Sequence, residues 1–101
     1  MASRLELQSL LESILGSRNV YFQPPANVHM SYPAIVYERI DIPVTHADDR
    51  PYLLSTVYQI VVIDPNPDSP IVYKLAQLPK CRHTSHYKQD NLNHDAFKLY
   101  F

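Results

Sequence analysis

Cys81, His83 and His86 are the residues whose types and spacing come closest to a metal site. Side chains alternate between the two faces of a β-strand, which predicts that His86 points away from Cys81 and His83. Three ligands on different faces cannot converge on one ion, so we expect no metal here but a polar strand facing solvent. A single cysteine also allows no internal disulfide, which fits a reducing cytoplasm.

Cys81 with His83 and His94 has the residue types of a thiol nucleophile and its base. Residue type is the only support for this reading. A lone cysteine among apolar residues after a helix is more typical of a small core residue. We therefore expect no catalytic residue and no cofactor.

His46, Asp48 and Asp49 resemble ligands for a hard cation or a general acid–base set. They fall at the tip of a predicted hairpin, which is too small and flexible to be a rigid scaffold for chemistry. We expect the cluster to be solvated or to contact another subunit. The alternative of a different class is a small cytoplasmic hydrolase that uses His46 with Asp48 or Asp49.

Composition excludes several other functions. Gly16 is the only glycine, so neither a phosphate-binding loop nor a dinucleotide fingerprint can form. Nine Lys and Arg against ten Asp and Glu leave a net charge of −1, which disfavours binding to a phosphate backbone. No apolar run approaches the roughly 18 residues of a membrane span. The 101 residues predict one intracellular domain over 1–101, whose small core favours oligomerisation.

The first residues predict a helix over about 3–15. Ser3 and Glu6 have capping-box spacing, and Gly16 can close the helix in the left-handed conformation. A second helix is predicted over about 69–78, capped by Asp68 or Ser69 and stopped by Pro79. The apolar stripe of the first helix consists of Leu7, Leu10, Leu11, Ile14 and Leu15.

Strands are predicted at about 19–23, 34–42, 52–63, 81–88 and 95–101. Strands 34–42 and 52–63 should pair as a long antiparallel hairpin, and a turn is expected through Asp90, Asn91 and Asn93. Phe97, Leu99 and Phe101 alternate with polar residues, so they should be buried in the core or against a neighbour. The expected hairpin tip carries Thr45, His46, Asp48, Asp49 and Arg50.

This order predicts an α+β fold, an antiparallel sheet with a long β-hairpin and two helices packed on one face. The eight tyrosines are many for this length and suit protein interfaces. The alternative is that Tyr37, Tyr58 and Tyr87 are ordinary strand residues.

Five motifs follow one another along the chain. They are YPAIVYE at 32–38, ADDRPY at 47–52, YQIVVID at 58–64, NPDS at 66–69 and DNLNHDAFKLYF at 90–101. In this order they resemble the motifs of a family of short proteins encoded in the head–tail joining region of long-tailed phages and prophages, and the last motif is the most specific. The chain is similar to tail terminators, also called tail completion or tail-to-head joining proteins.

The resemblance implies a non-enzymatic virion protein with a tail-terminator-like fold. Such a protein forms a hexameric ring that caps the tail tube, stops its polymerisation and offers the surface to which the head docks. It implies assembly in the host cytoplasm, location at the tail–head junction, and the tail tube protein and a head-side connector or stopper as partners. DNA would pass through the lumen without sequence-specific binding, and no membrane is involved. The alternative is a connector stopper or adaptor subunit of the same neck region.

A ring requires two complementary patches on each subunit. We expect residues 44–52 and 91–101 to form intersubunit or tail-tube contacts, the last strand pairing with the edge of a neighbour's sheet. The candidate interface residues are Thr45, His46, Asp48, Asp49, Arg50, Tyr52, Asn91, His94, Phe97, Tyr100 and Phe101.

Overall fold

The computed structural model describes residues 4–24, 31–41, 44–47, 50–53 and 56–101. Within them the fold is α+β, as predicted, with two helices and a five-stranded mixed sheet that is mostly antiparallel. The elements are α1 (Arg4–Leu15), β1 (Val20–Phe22), β2 (Ala34–Asp41), β3 (Val44–Ala47), β4 (Arg50–Leu53), β5 (Val57–Asp64), α2 (Pro70–Ala76), β6 (Cys81–Gln89) and β7 (Leu92–Tyr100).

The five-stranded sheet has the order β1-β2-β5-β7-β6. β1 runs parallel to β2, so the expectation of a wholly antiparallel sheet is wrong for this strand. β1 has only three residues. Gln23 follows it directly before Pro24 and has a φ of 44°. Proline cannot donate to a strand ladder, so β1 ends there and does not turn into a hairpin with β2.

The predicted long hairpin is present as two sections. β2 and β5 pair antiparallel from Ala34 opposite Ile63 to Asp41 opposite Val57, with a bulge between Arg39 and Asp41. β3 and β4 form a separate two-stranded sheet, which we call the arm. The predicted strand 52–63 is therefore divided between two sheets, because β4 pairs with β3 and β5 pairs with β2.

Helix α1 ends as its sequence predicts. Gly16 has a φ of 80°, and its backbone N–H donates to the Glu12 carbonyl at 2.9 Å. This left-handed residue satisfies a carbonyl of the last turn. Leu7 and Leu11 are fully buried, whereas Leu5 on the same helix is 66% exposed. Ser3, the predicted cap, lies outside the described residues.

Helix α2 begins at a Ser–Pro pair. Of the two predicted caps the structure selects Ser69, whose Oγ accepts from the Ile71 N–H at 3.3 Å. Pro70 occupies the first turn, where its missing N–H costs no hydrogen bond. The helix ends at Ala76, two residues before the predicted end.

β6 and β7 form a tight hairpin that is longer than predicted. Asp90 and Asn91 have φ values of 53° and 62°, and Gln89 pairs with Leu92. Two central residues with positive φ define the turn type that suits the twist of a two-residue hairpin. Asn93, predicted in the turn, instead lies in β7, and its side-chain amide donates to the Asp64 and Pro65 carbonyls at 3.3 and 3.1 Å.

Both helices pack on one face of the sheet. Tyr37 is fully buried there, and its hydroxyl donates to Gln8 and accepts from Arg4. Burial raises the pKa of the Tyr37 hydroxyl. This core joins Leu7, Leu11, Ile71 and Leu75 of the helices to Ile35, Tyr37, Tyr58, Ile60, Val62, Phe97 and Leu99 of the sheet. Neither of these described helices is long and apolar enough to cross a membrane.

We call the opposite side of the sheet the open face, because both described helices lie on the other side. Its centre is a row across β2, β5, β7 and β6, formed by Val36, Val61, Ala96 and Ser85. Val36 and Val61 are partly exposed there, and Tyr100 is 40% exposed. The described helices thus cover one face of the sheet, whereas the other face has buried residues such as Ile63 and Ala96 beside the partly exposed Val36 and Val61.

Leu11→Ala should lower the free energy of unfolding by about 2–5 kcal/mol, because it removes a buried side chain and leaves a cavity between α1 and the sheet. The matched control is Leu5→Ala on the exposed side of the same helix, which should change stability by less than about 0.5 kcal/mol. Urea denaturation followed by circular dichroism measures both. Equal effects of the two substitutions would contradict the packing of α1 described above.

Candidate functional site

Strand β6 forms one edge of the five-stranded sheet. Its residues other than Thr84 pair with β7 on one side, and no described strand pairs with the other side. Every residue of β6 after Cys81 is exposed. A long edge with unpaired backbone groups is a template for pairing with another chain, and proteins commonly protect such edges with charges and bulges. β6 carries both, as Arg82, Lys88 and a bulge between His83 and Ser85.

That bulge overturns the prediction about the histidines. The register shift places His83 opposite Phe97 and His86 opposite Asp95, so both rings lie on the helix-covered side. His83 Nε2 is 3.1 Å and His86 Nδ1 is 2.7 Å from the same Asp95 oxygen, Oδ1. Strict alternation would have placed His86 on the other face. The extra residue in the bulge restores it to the face of His83.

The geometry defines the proton positions in this cluster. A carboxylate oxygen can only accept, so His83 must carry hydrogen on Nε2 and His86 on Nδ1. The Asp95 side chain is 10% exposed, against 40% and 45% for the two histidines, so the rings shield a nearly buried carboxylate. The Thr84 hydroxyl also donates to the Ala96 carbonyl at 3.1 Å inside the bulge. Side chains thus hold β6 to β7 where the backbone ladder is interrupted.

Sequence reasoning missed Asp95. The available signal was alternation in β7, which places Asp95 on the same side as Phe97 and Leu99, where a carboxylate needs partners. Alternation alone could not have named the partners, because the bulge in β6 determines which side chains face Asp95.

Cys81, His83 and His94 do not share one face of the sheet, because His94 lies apart from the other two. Cys81 lies opposite Leu99 on the helix-covered side, while His94 lies opposite Ile63 on the open face. Burial raises the pKa of the Cys81 thiol, which reduces the reactive thiolate fraction near neutral pH. In residues 4–24, 31–41, 44–47, 50–53 and 56–101, no group of three or more His, Cys, Asp or Glu is placed to hold a metal ion.

The predicted tip residues lie in or beside the arm. Thr45 and His46 are in β3, and Arg50 and Tyr52 are in β4, where Thr45 is opposite Tyr52. Asp48 and Asp49 lie outside the described residues. The hydrolase prediction depends on these two residues, so it falls outside the described part of the chain as well. β3 and β4 pair with each other and with no other described strand.

The predicted residues of the last motif separate into exposed and buried sets. Asn91 is exposed in the turn, and Tyr100 is exposed on the open face with Lys98 Nζ 5.5 Å from its ring centroid. His94 stacks on Tyr87 with ring centroids 4.8 Å apart. Phe97 is fully buried beneath the helices, so its predicted place at an interface is wrong for its side chain.

The last motif also cannot extend a neighbour's sheet as predicted. β7 lies between β5 and β6, so both of its backbone edges are already hydrogen-bonded. Phe101 packs against the core, and its backbone exchanges hydrogen bonds with Thr56 at 2.9 and 3.3 Å. The described edges of this sheet are β1 and β6.

The open face also carries a shallow depression of about 240 Å³. Its lining combines the apolar Val36 and Val61 with Gln23, Pro24, Glu38 and Gln59. These lining residues include no cluster of catalytic residue types.

No family model matches the sequence, and no significantly similar curated protein was found.

Asp95→Ala should lower the free energy of unfolding by about 1–3 kcal/mol, because both histidine N–H groups lose their acceptor. Asp68→Ala, which changes an exposed aspartate in the turn before α2, is the matched control and should cost less than about 0.5 kcal/mol.

Nitrogen-15 NMR of the neutral rings should also show His86 in its Nδ1–H form in the unaltered protein and not in Asp95→Ala. An Nε2–H form of His86 in the unaltered protein would contradict the hydrogen bonding described above.

Proposed function

We propose that this chain is a structural subunit of a phage neck. It assembles into a ring, hexameric by its resemblance to tail terminators, that ends the tail tube and joins the tail to the head. The proposal rests on the resemblance of five ordered motifs and, in the structure, on the arm. Its partners would be other copies of the chain, the tail tube protein and a head-side connector protein.

The arm is the observation that carries the proposal. An isolated two-stranded hairpin is marginally stable in water and needs a third strand or a packed face for support. β3 and β4 have four residues each and join no larger sheet among the described residues. The molecule is also elongated, with dimensions of 51 × 27 × 23 Å. A partner surface that supports the arm is therefore expected, and in a ring the neighbouring subunit supplies it.

The open face is a further surface suited to assembly. A sheet with one face packed on helices can bury its other face against another subunit. An open face and an arm are different patches on one subunit, which is the arrangement that a heterologous ring interface requires.

Loss of this gene from the phage or prophage that encodes it should give overlong tails without heads, because nothing would stop polymerisation of the tube. Electron microscopy of lysates measures tail length, and a plasmid copy of the gene should restore joined particles. Tails of normal length beside heads that have lost DNA would favour the stopper alternative. Normal particles would contradict both assignments.

Replacing residues 44–53 by Asn-Gly should leave the body folded, because the five-stranded sheet does not include β3 or β4, and should abolish joining of tails to heads. Circular dichroism and complementation of the gene deletion measure the two effects. The control replaces only Asp90 with Asn in the turn between β6 and β7 and should complement fully. An unfolded truncated protein would show that the arm belongs to the fold of the single subunit.

A further inference from the structure

The β6–β7 hairpin is more positively charged than the rest of the chain. Residues 80–101 hold four Lys or Arg and two Asp, a balance of +2, whereas residues 1–79 hold five Lys or Arg and eight Asp or Glu, a balance of −3. Of the two acids, Asp95 has a side chain that is 10% exposed and accepts from both histidines, and Asp90 lies in the turn. A chain whose overall charge disfavours a polyanion thus has one locally cationic segment.

Two of these cations lie side by side on the open face. Arg82 of β6 is directly opposite Lys98 of β7, on the same face as Ser85 and Ala96. Like charges opposite one another destabilise a sheet. In the part of the chain that the structure describes, both ion pairs involve Asp95, so neither cation has an acidic partner there. An anionic ligand would supply the counter-charge.

The other acidic residues of the sheet lie too far away to neutralise this pair. Glu38 and Asp41 are in β2, which β5 separates from β7, so their backbones are about 10 Å from that of β7. Asp64 is opposite Asn93, five residues along β7 from Lys98 and thus about 17 Å away. Physiological salt largely screens charges at such distances, because its Debye length is about 8 Å.

The same two strands carry exposed aromatic rings on this face. Tyr100 is 40% exposed, and the Lys98 ammonium lies 5.5 Å from its ring centroid. Tyr87 is 44% exposed and stacks on His94, with the ring planes inclined by 13°. Ala96, between these two positions, is buried. A ligand would therefore contact the long side chains at the two ends of the hairpin and not its centre.

We propose that the surface formed by Arg82, Tyr87, Lys98 and Tyr100 binds single-stranded nucleic acid without sequence preference. The cations meet phosphates and the exposed rings stack on bases, which are the two contacts that such binding combines. An acidic protein would pair with the cations but offer no bases to the rings, and a duplex keeps its bases stacked inside. The inference goes beyond the neck assignment and does not depend on it.

Fluorescence anisotropy with a labelled oligothymidylate of about 20 nucleotides tests the cations. Binding should weaken with added salt, because phosphate contacts release counterions. Arg82→Gln with Lys98→Gln should weaken binding at least about fivefold at low salt and reduce the salt slope by about one. The matched control is Arg18→Gln with Lys74→Gln, which makes the same charge change at exposed positions outside the hairpin and should bind like the unaltered protein.

Substitution of the tyrosine tests the rings. Tyr87→Ala should weaken binding at least about fivefold, because a base loses its stacking partner, whereas Tyr87→Phe should keep the affinity. The matched control is Tyr73→Ala, which removes an exposed tyrosine on α2 and should have no effect on binding. Circular dichroism establishes that each variant is folded.

A measurement on the unaltered protein makes the test independent of the variants. Addition of the oligothymidylate should shift backbone amide resonances of β6 and β7 in nitrogen-15 NMR spectra and leave those of α1 unchanged. Shifts confined to other elements would overturn the inference even if a substituted chain failed to fold.

Four further results would overturn it: no binding at millimolar protein, substitutions that match their controls, a duplex of the same length that binds as tightly, or polyglutamate that competes equally well at equal charge. The last result would favour an acidic protein as the partner. Failure of the proposed function has a different signature. Binding by a protein that is absent from purified particles would refute only the neck assignment, and a neck protein that does not bind the oligomer would refute only this inference.

Discussion

The structure depends on the packing of two helices against one face of a five-stranded sheet. Leu11 of α1 and Leu75 of α2 are fully buried in the same cluster as Phe97 of β7. Both described helices pack on the same side of the sheet and form one hydrophobic core with it. The other face of the sheet and the arm are left without support from a helix. The proposed function is one of assembly because a neighbouring subunit would support both.

The edge of the sheet shows how an exposed edge strand can be protected from pairing with another chain. β6 is long and exposed, yet a bulge interrupts its ladder, and cations stand at Arg82 and Lys88. The His83–Asp95–His86 cluster compensates for the interrupted backbone pairing by joining β6 to β7 through side chains. In the sequence, His83 and His86 with Cys81 come closest to a metal site, although no metal was expected to bind there. In the fold, His83, Asp95 and His86 satisfy one another, and their role is to hold an edge strand in place.

The regular elements could be predicted from local rules. The stripe through Leu7 and Leu11 and the left-handed Gly16 determine α1, and the alternation from Phe97 to Leu99 determines the buried side of β7. The interface residues were less predictable, because exposure depends on what lies above each strand. Phe97 and Tyr100 belong to one motif and one strand, but the helices cover the first and leave the second exposed.

The sequence by itself determined the α+β class, the pairing of the long hairpin and the turn at Asp90 and Asn91, because periodicity, proline positions and turn chemistry act between residues close in the chain. Only the tertiary structure decided that β1 runs parallel to β2, that β7 is an interior strand and that His83 and His86 meet at Asp95. Each of these depends on strand order or on a one-residue bulge. The packing of the whole sheet sets strand order and register, so neither can be predicted from the pattern of residues within one strand.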